Sequence, residues 1–425
     1  MIKMIFYKET NFKETFIGNI PKDWELVRLP DIAEDIYYGI TAKAVENKTD
    51  LKILRTTDIK DYNVNWNVLP FCEITEKRGD IQRFSLKKGD LVIARSGTTG
   101  VSVLVEKDLE NIIFGSYLIK VKLSRKVHPK FMHYFCQSHL YWNHITSSHA
   151  GSTLKNISLP VLKSLNVPLP SLFEQQKIAE ILLTVDEAVQ KTDEVITRTE
   201  RLKKGLMQEL LTKGIGHKEF KDTEIGKIPK TWQVVRVKDV AEIRGNKRIN
   251  DFEKVAFIPM ELIPESQIFA NYEIKTKKDV KSFTYCEVGD ILLAKITPSL
   301  ENGKQGIVPF DVPNKFALAT TEVFPIYCKS IDRLFLFYIL KFSKFRNKII
   351  SSMIGTTGRQ RASRESVEKL EIPLPPLEEQ QKIGEILSEV DKKLEFERNK
   401  KARLERIKRG LMDLLLTGKI RVKVN

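Results

Sequence analysis

The chain has 425 residues, 42% of them hydrophobic, and 71 Lys and Arg against 55 Asp and Glu give it a formal net charge of +16. That length predicts two or three domains, and the composition excludes a disordered or low-complexity chain. The charge favours a polyanionic partner, although a basic balance also serves plain solubility.

The opening MIKMIFYKETNFKE lacks a long apolar stretch and predicts no signal peptide. No apolar run approaches 18 residues, so no membrane partner is expected. The four cysteines, Cys72, Cys136, Cys286 and Cys328, are far apart and form no CxxC, which fits a reduced, cytoplasmic compartment. Up to Ser171 the runs WELVRL, LVIAR and SYLIKVKL read as strands, and FMHYFCQSHLYW reads as helical. His128, His133, His139, His144 and His149 crowd this region, but steps of five and six residues scatter them around a helix. No metal site is predicted, and the histidines are expected to face solvent.

Pro168 and Pro170 end the first globular region, and Ser171 with Glu174 reads as an S-x-x-E capping box. Beyond it Ile178, Ile181, Val185, Ala188, Val195, Leu202 and Leu206 fall on a and d positions of a heptad. Leu182, Val189, Ile196 and Leu210 widen the stripe, and Gly214 and Gly216 close the run. From Glu174 to Thr212 such a helix is roughly 58 Å long.

From residue 217 the order starts again. IGNIPKDWELVRLPDIAE (17–34) returns as IGKIPKTWQVVRVKDVAE (225–242), and KKGDLVIAR (87–95) as EVGDILLAK (287–295). PLPSLFEQQKIAEILLTVDE (168–187) returns as PLPPLEEQQKIGEILSEVDK (373–392), and LKKGLMQELLTKGI (202–215) as IKRGLMDLLLTGKI (407–420). The second helical stripe carries Ile383, Ile386, Val390, Leu404, Ile407, Leu411 and Leu414, has Lys393, Glu397 and Lys400 in its middle, and stops at Gly418. The predicted organisation is 1–171 and 217–376 as globular units of mixed α+β class, with 172–216 and 377–425 as long helices. One helix with a single apolar stripe cannot stand alone, so the two are expected to pair as an antiparallel coiled coil. Core helices of one compact domain are the alternative, but the length of the runs argues against it. The net charges are +6, −1, +7 and +4 for the four segments in order, so phosphate binding is assigned to the globular units.

In these motifs the chain resembles the specificity subunit of a type I restriction-modification system. The residues that carry the resemblance are the tandem I-P-x-x-W at Ile20–Trp24 and Ile228–Trp232, the turns Gly89-Asp90 and Gly289-Asp290, and the P-L-P-x-L-x-E-Q-Q-K-I boundary at 168–178 and 373–383. The resemblance implies two target-recognition domains reading the halves of an interrupted double-stranded DNA site, with the helices setting the spacer and docking partners. It further implies two methyltransferase subunits and translocase-nuclease subunits as partners, with S-adenosylmethionine, ATP and Mg2+ on those partners and no cofactor on this chain.

The residues themselves support candidates for DNA contact. Arg95, Ser96, Thr98 and Thr99 follow a strand, and Lys295 and Thr297 stand at the repeated position. Lys155 and Asn156 align with the stretch of Arg359, Gln360, Arg361 and Arg364, and Lys247 with Arg248 makes a third basic turn. Arg and Gln can reach guanine and adenine edges bidentately. Trp24 and Trp232 are expected in the core. The chain carries neither a cofactor-binding glycine loop with an N/D-P-P-aromatic element nor GxxxxGK[ST], so neither methyl transfer nor ATP hydrolysis is predicted for it. Pro264-Glu265 with Glu273-Ile274-Lys275 is too common a pattern in a Lys- and Glu-rich chain to mark a nuclease. A protein-binding scaffold with incidental charge is the competing class; the basic globular units and the boundary motif favour DNA recognition.

Overall fold

Four consecutive apolar residues, Leu91–Ala94, form a strand that is buried along its whole length. Side chains alternate across a strand, so such a run needs cover on both faces. The computed structural model, which describes residues 4–75, 81–147, 156–247, 253–356 and 358–424, supplies that cover in two ways. Leu91 and Ile93 join Ile119, Val121 and the residues Phe131, Met132, Phe135, Tyr141 and Ile145 of two short helices. Val92 and Ala94 join Ile53, Leu54, Cys72, Ile113 and Phe114 of a second sheet. The first sheet runs Ser102–Leu104, Leu91–Ala94, Leu118–Leu123, Ala33–Tyr38, antiparallel throughout. The second runs Ile112–Phe114, Lys52–Leu54, Phe71–Ile74, Ala42–Val45, and its first pair is parallel.

The second repeat uses the same plan. Ile291 and Leu293 face Phe335, Tyr338, Phe345 and Ile349 of helices Arg333–Lys341 and Ser343–Ser351, while Leu292 faces Ala256, Ile258, Ala317 and Ala319. Its first sheet runs Ala241–Ile243, Val323–Cys328, Ile291–Ala294, Gln305–Ile307. Its second sheet differs at the edges. Thr284–Glu287 pairs with Phe316–Ala319, where the first repeat has a single bridge from Ser85 to Ile113.

The chain divides into two compact units, Met1–Gln190 with Ala402–Asn425 and Lys191–Lys401. The long helices are Leu172–Lys213 and Leu377–Leu416, and each contributes to both units. Within the second unit they run antiparallel, for Asp193 pairs with Lys401, Glu200 with Arg398 and Lys203 with Asp391. Within the first unit Lys408 pairs with Asp186 at 2.7 Å. The two aspartates are equivalent, and each also accepts a tyrosine hydroxyl at 2.8 Å: Tyr134 on Asp186 and Tyr338 on Asp391.

The apolar seam keeps one line of the heptad count, Ile178, Val185 and Leu206 with Ile383, Val390, Leu404 and Leu411, and shifts the other by one residue. The least exposed side of the first helix follows Ile178, Leu182, Val185, Val189, Thr192, Ile196, Thr199, Lys203, Leu206 and Leu210, a strict alternation of steps of four and three. The second helix follows Ile383, Leu387, Val390, Leu394, Glu397, Lys401, Leu404, Lys408, Leu411 and Leu415. Leu202, Ile386 and Ile407, expected in the packing, are 56%, 39% and 43% exposed. Ile181 is buried, but it packs with the first repeat's core beside Leu182. On the shifted line Leu182, Val189, Ile196 and Leu210, assigned to widen the stripe, stand where Ile181, Ala188, Val195 and Leu202 were expected. Polar Lys203 hid that line from a count of apolar positions.

The boundary motif fixes each helix to its globular repeat. Glu174 accepts the indole N–H of Trp24 at 3.2 Å, and Glu379 that of Trp232 at 2.9 Å. Gln175 accepts the His128 backbone N–H and donates to the Pro170 carbonyl; Gln380 does the same with Asp332 and Pro375. Only half of the expected capping box forms. The Ser171 hydroxyl accepts the Glu174 backbone N–H at 3.3 Å, but the Glu174 carboxylate is taken by Trp24 and Arg421. Arg421 lies in the C-terminal strand Ile420–Val424, which pairs with Met4–Lys8, and it contacts Glu9, Asp23 and Glu174. In the second unit His217 takes its place against Glu379. Gly214 and Gly418 adopt φ near +70° at the helix ends, and a Cβ there would overlap Trp232 and Pro21 respectively, so both positions demand glycine.

The histidine segment is two helices, not one, and its histidines do not all face solvent. His133 is 8% exposed, and burial, reinforced by Lys130 and Lys408, pushes its pKa down to about 3. His139 meets Asp413, and His144 contacts the Val161 carbonyl; His149 lies outside the described residues. Among the described residues no cluster of His, Cys, Asp and Glu could hold a metal, and no helix is long and apolar enough to cross a membrane.

Candidate nucleic-acid interface

The strand Leu91–Ala94 ends at Arg95, where the chain must leave the sheet. The turn that follows is made by Gly97 and Gly100 at φ +77° and +88°, and a Cβ on Gly100 would strike the Trp142 ring. The sequence placed two loops near DNA in each repeat, and the structure joins them. Ser96 bridges Asn156, and Ile157 donates its backbone N–H to the Arg95 carbonyl at 2.8 Å. In the second repeat Ile296 bridges Arg361, Ala362 donates to the Lys295 carbonyl at 2.8 Å, and Thr297 donates to the Gln360 carbonyl at 3.0 Å. Each repeat therefore presents one composite surface at the same end of the same strand.

The side chains differ in their freedom. Arg95 is half-buried, with its guanidinium 4.4 Å from the centroid of the Tyr38 ring. Ser96 is half-buried, and Thr98 is exposed with its hydroxyl toward the Thr56 carbonyl. Thr99, assigned to the DNA face, is 6% exposed and packs inward, because the glycine turn folds it back onto the repeat. Lys295 is half-buried against the Phe324 ring, and the Thr297 hydroxyl donates to Glu301. Arg359 is exposed and Gln360 half-buried on the hairpin Ile354–Thr356/Arg359–Arg361. Arg361 is held bidentately by Glu322, at 2.9 Å for each contact. Arg364 is engaged by Glu368 and by the Ile243 carbonyl, which turns it along the surface. Lys247 is exposed over the Tyr285 ring, while Lys155 and Arg248 lie outside the described residues.

Two residues at this surface escaped the sequence reading. Tyr117 is 63% exposed, and its carbonyl accepts the Arg95 backbone N–H. Glu322 occupies the equivalent place, accepting from Lys295. An exposed aromatic and a carboxylate give no common signal, so only the shared backbone bond pairs them.

The opposite end of the same strand holds the Gly-Asp turn. Asp90 and Asp290 each accept the backbone N–H of the residue three before them, Lys87 and Glu287. The counter-cation is exchanged between repeats: Lys120 of the strand Leu118–Leu123 serves Asp90 at 3.2 Å, and Arg244, just past the strand Ala241–Ile243, serves Asp290. Burial raises the pKa of Asp290, and Arg244 opposes the rise. These buried pairs account for the repeated turn as a structural device.

The type I restriction modification DNA specificity domain family matches residues 21–198 and again 229–406. The chain belongs to this family. It is 30% identical to the type I restriction enzyme MjaVIII specificity subunit of Methanocaldococcus jannaschii, over 100% of this chain and 99% of that protein. A segment covering 37% of the chain is 35% identical to the EcoAI specificity subunit of Escherichia coli, spanning 27% of that protein. In fold it is similar to the S subunit of a type I restriction-modification system from M. genitalium, with a TM-score of 0.56 and 14% identity over 96% of this chain and 99% of that one. The two matched segments coincide with the two copies of the sheet, loop pair and helix start.

Proposed function

We propose that this chain is the DNA-reading subunit of a type I restriction-modification complex, each globular repeat recognising one half of a bipartite duplex site. The observation that carries the reading is the composite loop surface. It stands at the same place on both repeats, built on the same sheet, yet its side chains differ: Arg95, Tyr117 and Asn156 in one, Lys295, Glu322 and Arg361 in the other. A common frame with divergent tips suits two readers of different base sequences. The overall charge of +16 supplies the sequence-independent attraction.

On this reading the chain recognises and does not catalyse. Methyl transfer and DNA translocation belong to methyltransferase subunits, two per complex, and translocase-nuclease subunits. Those partners hold S-adenosylmethionine, ATP and Mg2+, and the complex works in the cytoplasm. The link between the readers is a continuous helix of 42 residues, roughly 63 Å long, which suits a spacer ruler and a docking surface. The test is to map methylated bases in a host that carries this subunit with its partners. A single interrupted motif with two unlike halves and a fixed gap is expected. A continuous motif, or methylation unaltered by deleting the subunit, overturns the reading.

A further inference from the structure

Resting on the reading that the second repeat contacts DNA bases, we propose that Glu322 is a positioning residue that presents Arg361 to a guanine in the half-site read by this repeat.

The guanidinium has two edges able to make paired hydrogen bonds. Arg361 gives the edge formed by Nε and Nη2 to the Glu322 carboxylate, both contacts at 2.9 Å. The end-on edge, formed by Nη1 and the second proton of Nη2, stays available, and the Arg361 side chain is 51% exposed. That edge matches the O6 and N7 acceptors of guanine in the major groove. A carboxylate on one edge fixes the plane and direction of the other, which a long, flexible side chain does not do for itself.

The pair is not needed to attach the hairpin. Its base is already tied by the backbone bonds Thr297 to Gln360 and Ala362 to Lys295 and by the bridge from Ile296 to Arg361. Exposed ion pairs contribute little to folding. Arg361 holds the Glu322 carboxyl below its ordinary range, with Lys295 adding to the effect, so the acid stays ionised at neutral pH. Two cations, Arg361 and Lys295, act on this one carboxylate.

The first repeat lacks the arrangement. Tyr117 stands at the position of Glu322 and Asn156 at that of Arg361. Among the described residues the carboxylate-held arginine at this position is thus confined to the second repeat, and the position is where the two readers' specificities part.

The full chain, alone and assembled with its methyltransferase subunits, is offered a duplex library with both half-sites randomised, and bound duplexes are sequenced. The wild type is expected to demand guanine at one position of the second half. Arg361→Lys keeps the charge but loses the fork, and should lower that preference about tenfold or more while sparing the first half and the salt dependence. Glu322→Gln should weaken the same position and no other. Thermal melts check that both variants remain folded. Unchanged base preference in both variants, or a loss spread evenly over all positions as for a phosphate contact, overturns the proposal and leaves DNA recognition standing. A wild type without any base preference overturns both.

Discussion

Replacing Arg421 by Met removes the one cation shared by Glu9, Asp23 and Glu174. The Arg421 and Glu174 side chains are only 8% and 7% exposed, so the change leaves a carboxylate buried beside Trp24 with its charge unmatched. Removing one partner of a buried pair costs about 3–5 kcal/mol, whereas the contact with Asp23, 67% exposed, adds close to nothing. For a unit of roughly 200 residues that corresponds to about 6–20 °C in melting temperature. Melts by circular dichroism at neutral pH should show that deficit. A variant that melts with the wild type refutes the account of the strand Ile420–Val424 as an electrostatic clasp.

Leu182→Asp, at a fully buried seam position, should cost on the order of 3 kcal/mol or more, while Leu202→Asp should stay within about 0.5 kcal/mol of wild type in a denaturant melt; equal losses would put Leu202 back on the seam. His133 is neutral in the fold, with a pKa near 3 against 6.5 for the free group, so the unfolded chain binds the extra proton between those values and stability rises with pH across that window. His133→Phe should flatten that part of the acid limb, and an unchanged slope between pH 4 and 6 would contradict the assignment. Tyr338→Phe withdraws the hydroxyl from the buried Asp391 carboxylate and should cost about 1–3 kcal/mol, read in the melt of the second unit; no loss would mean that Lys203 alone satisfies Asp391.

The duplication, the strands and the two helices were legible because period and punctuation are local. One line of the seam, through Ile178, Val185 and Leu206, coincides with the heptad count, and the other was misplaced by one step for a definite reason. Ile181, Val195 and Leu202 make a second apolar line beside Leu182, Val189 and Ile196, and the choice between them is made by what packs there, including Lys203. Glu174 likewise looked like a cap because its partner Arg421 lies 247 residues away. The structure brings the loops of the candidate interface together, Arg95 with Asn156 and Lys295 with Arg361. The fate of each side chain was not legible. The inward turn of Thr99 depends on a glycine hinge, and the pairing of Arg361 with Glu322 on a backbone register that brings together residues 39 apart.

The central claim is that two separable readers share this chain. Replacing 217–376 with the corresponding domain of a relative, and mapping methylated bases in cells that carry the chimera and its partner subunits, tests it most directly. The account predicts a motif in which one half changes while the other half and the gap are retained. A motif altered in both halves, or one unchanged, would contradict it.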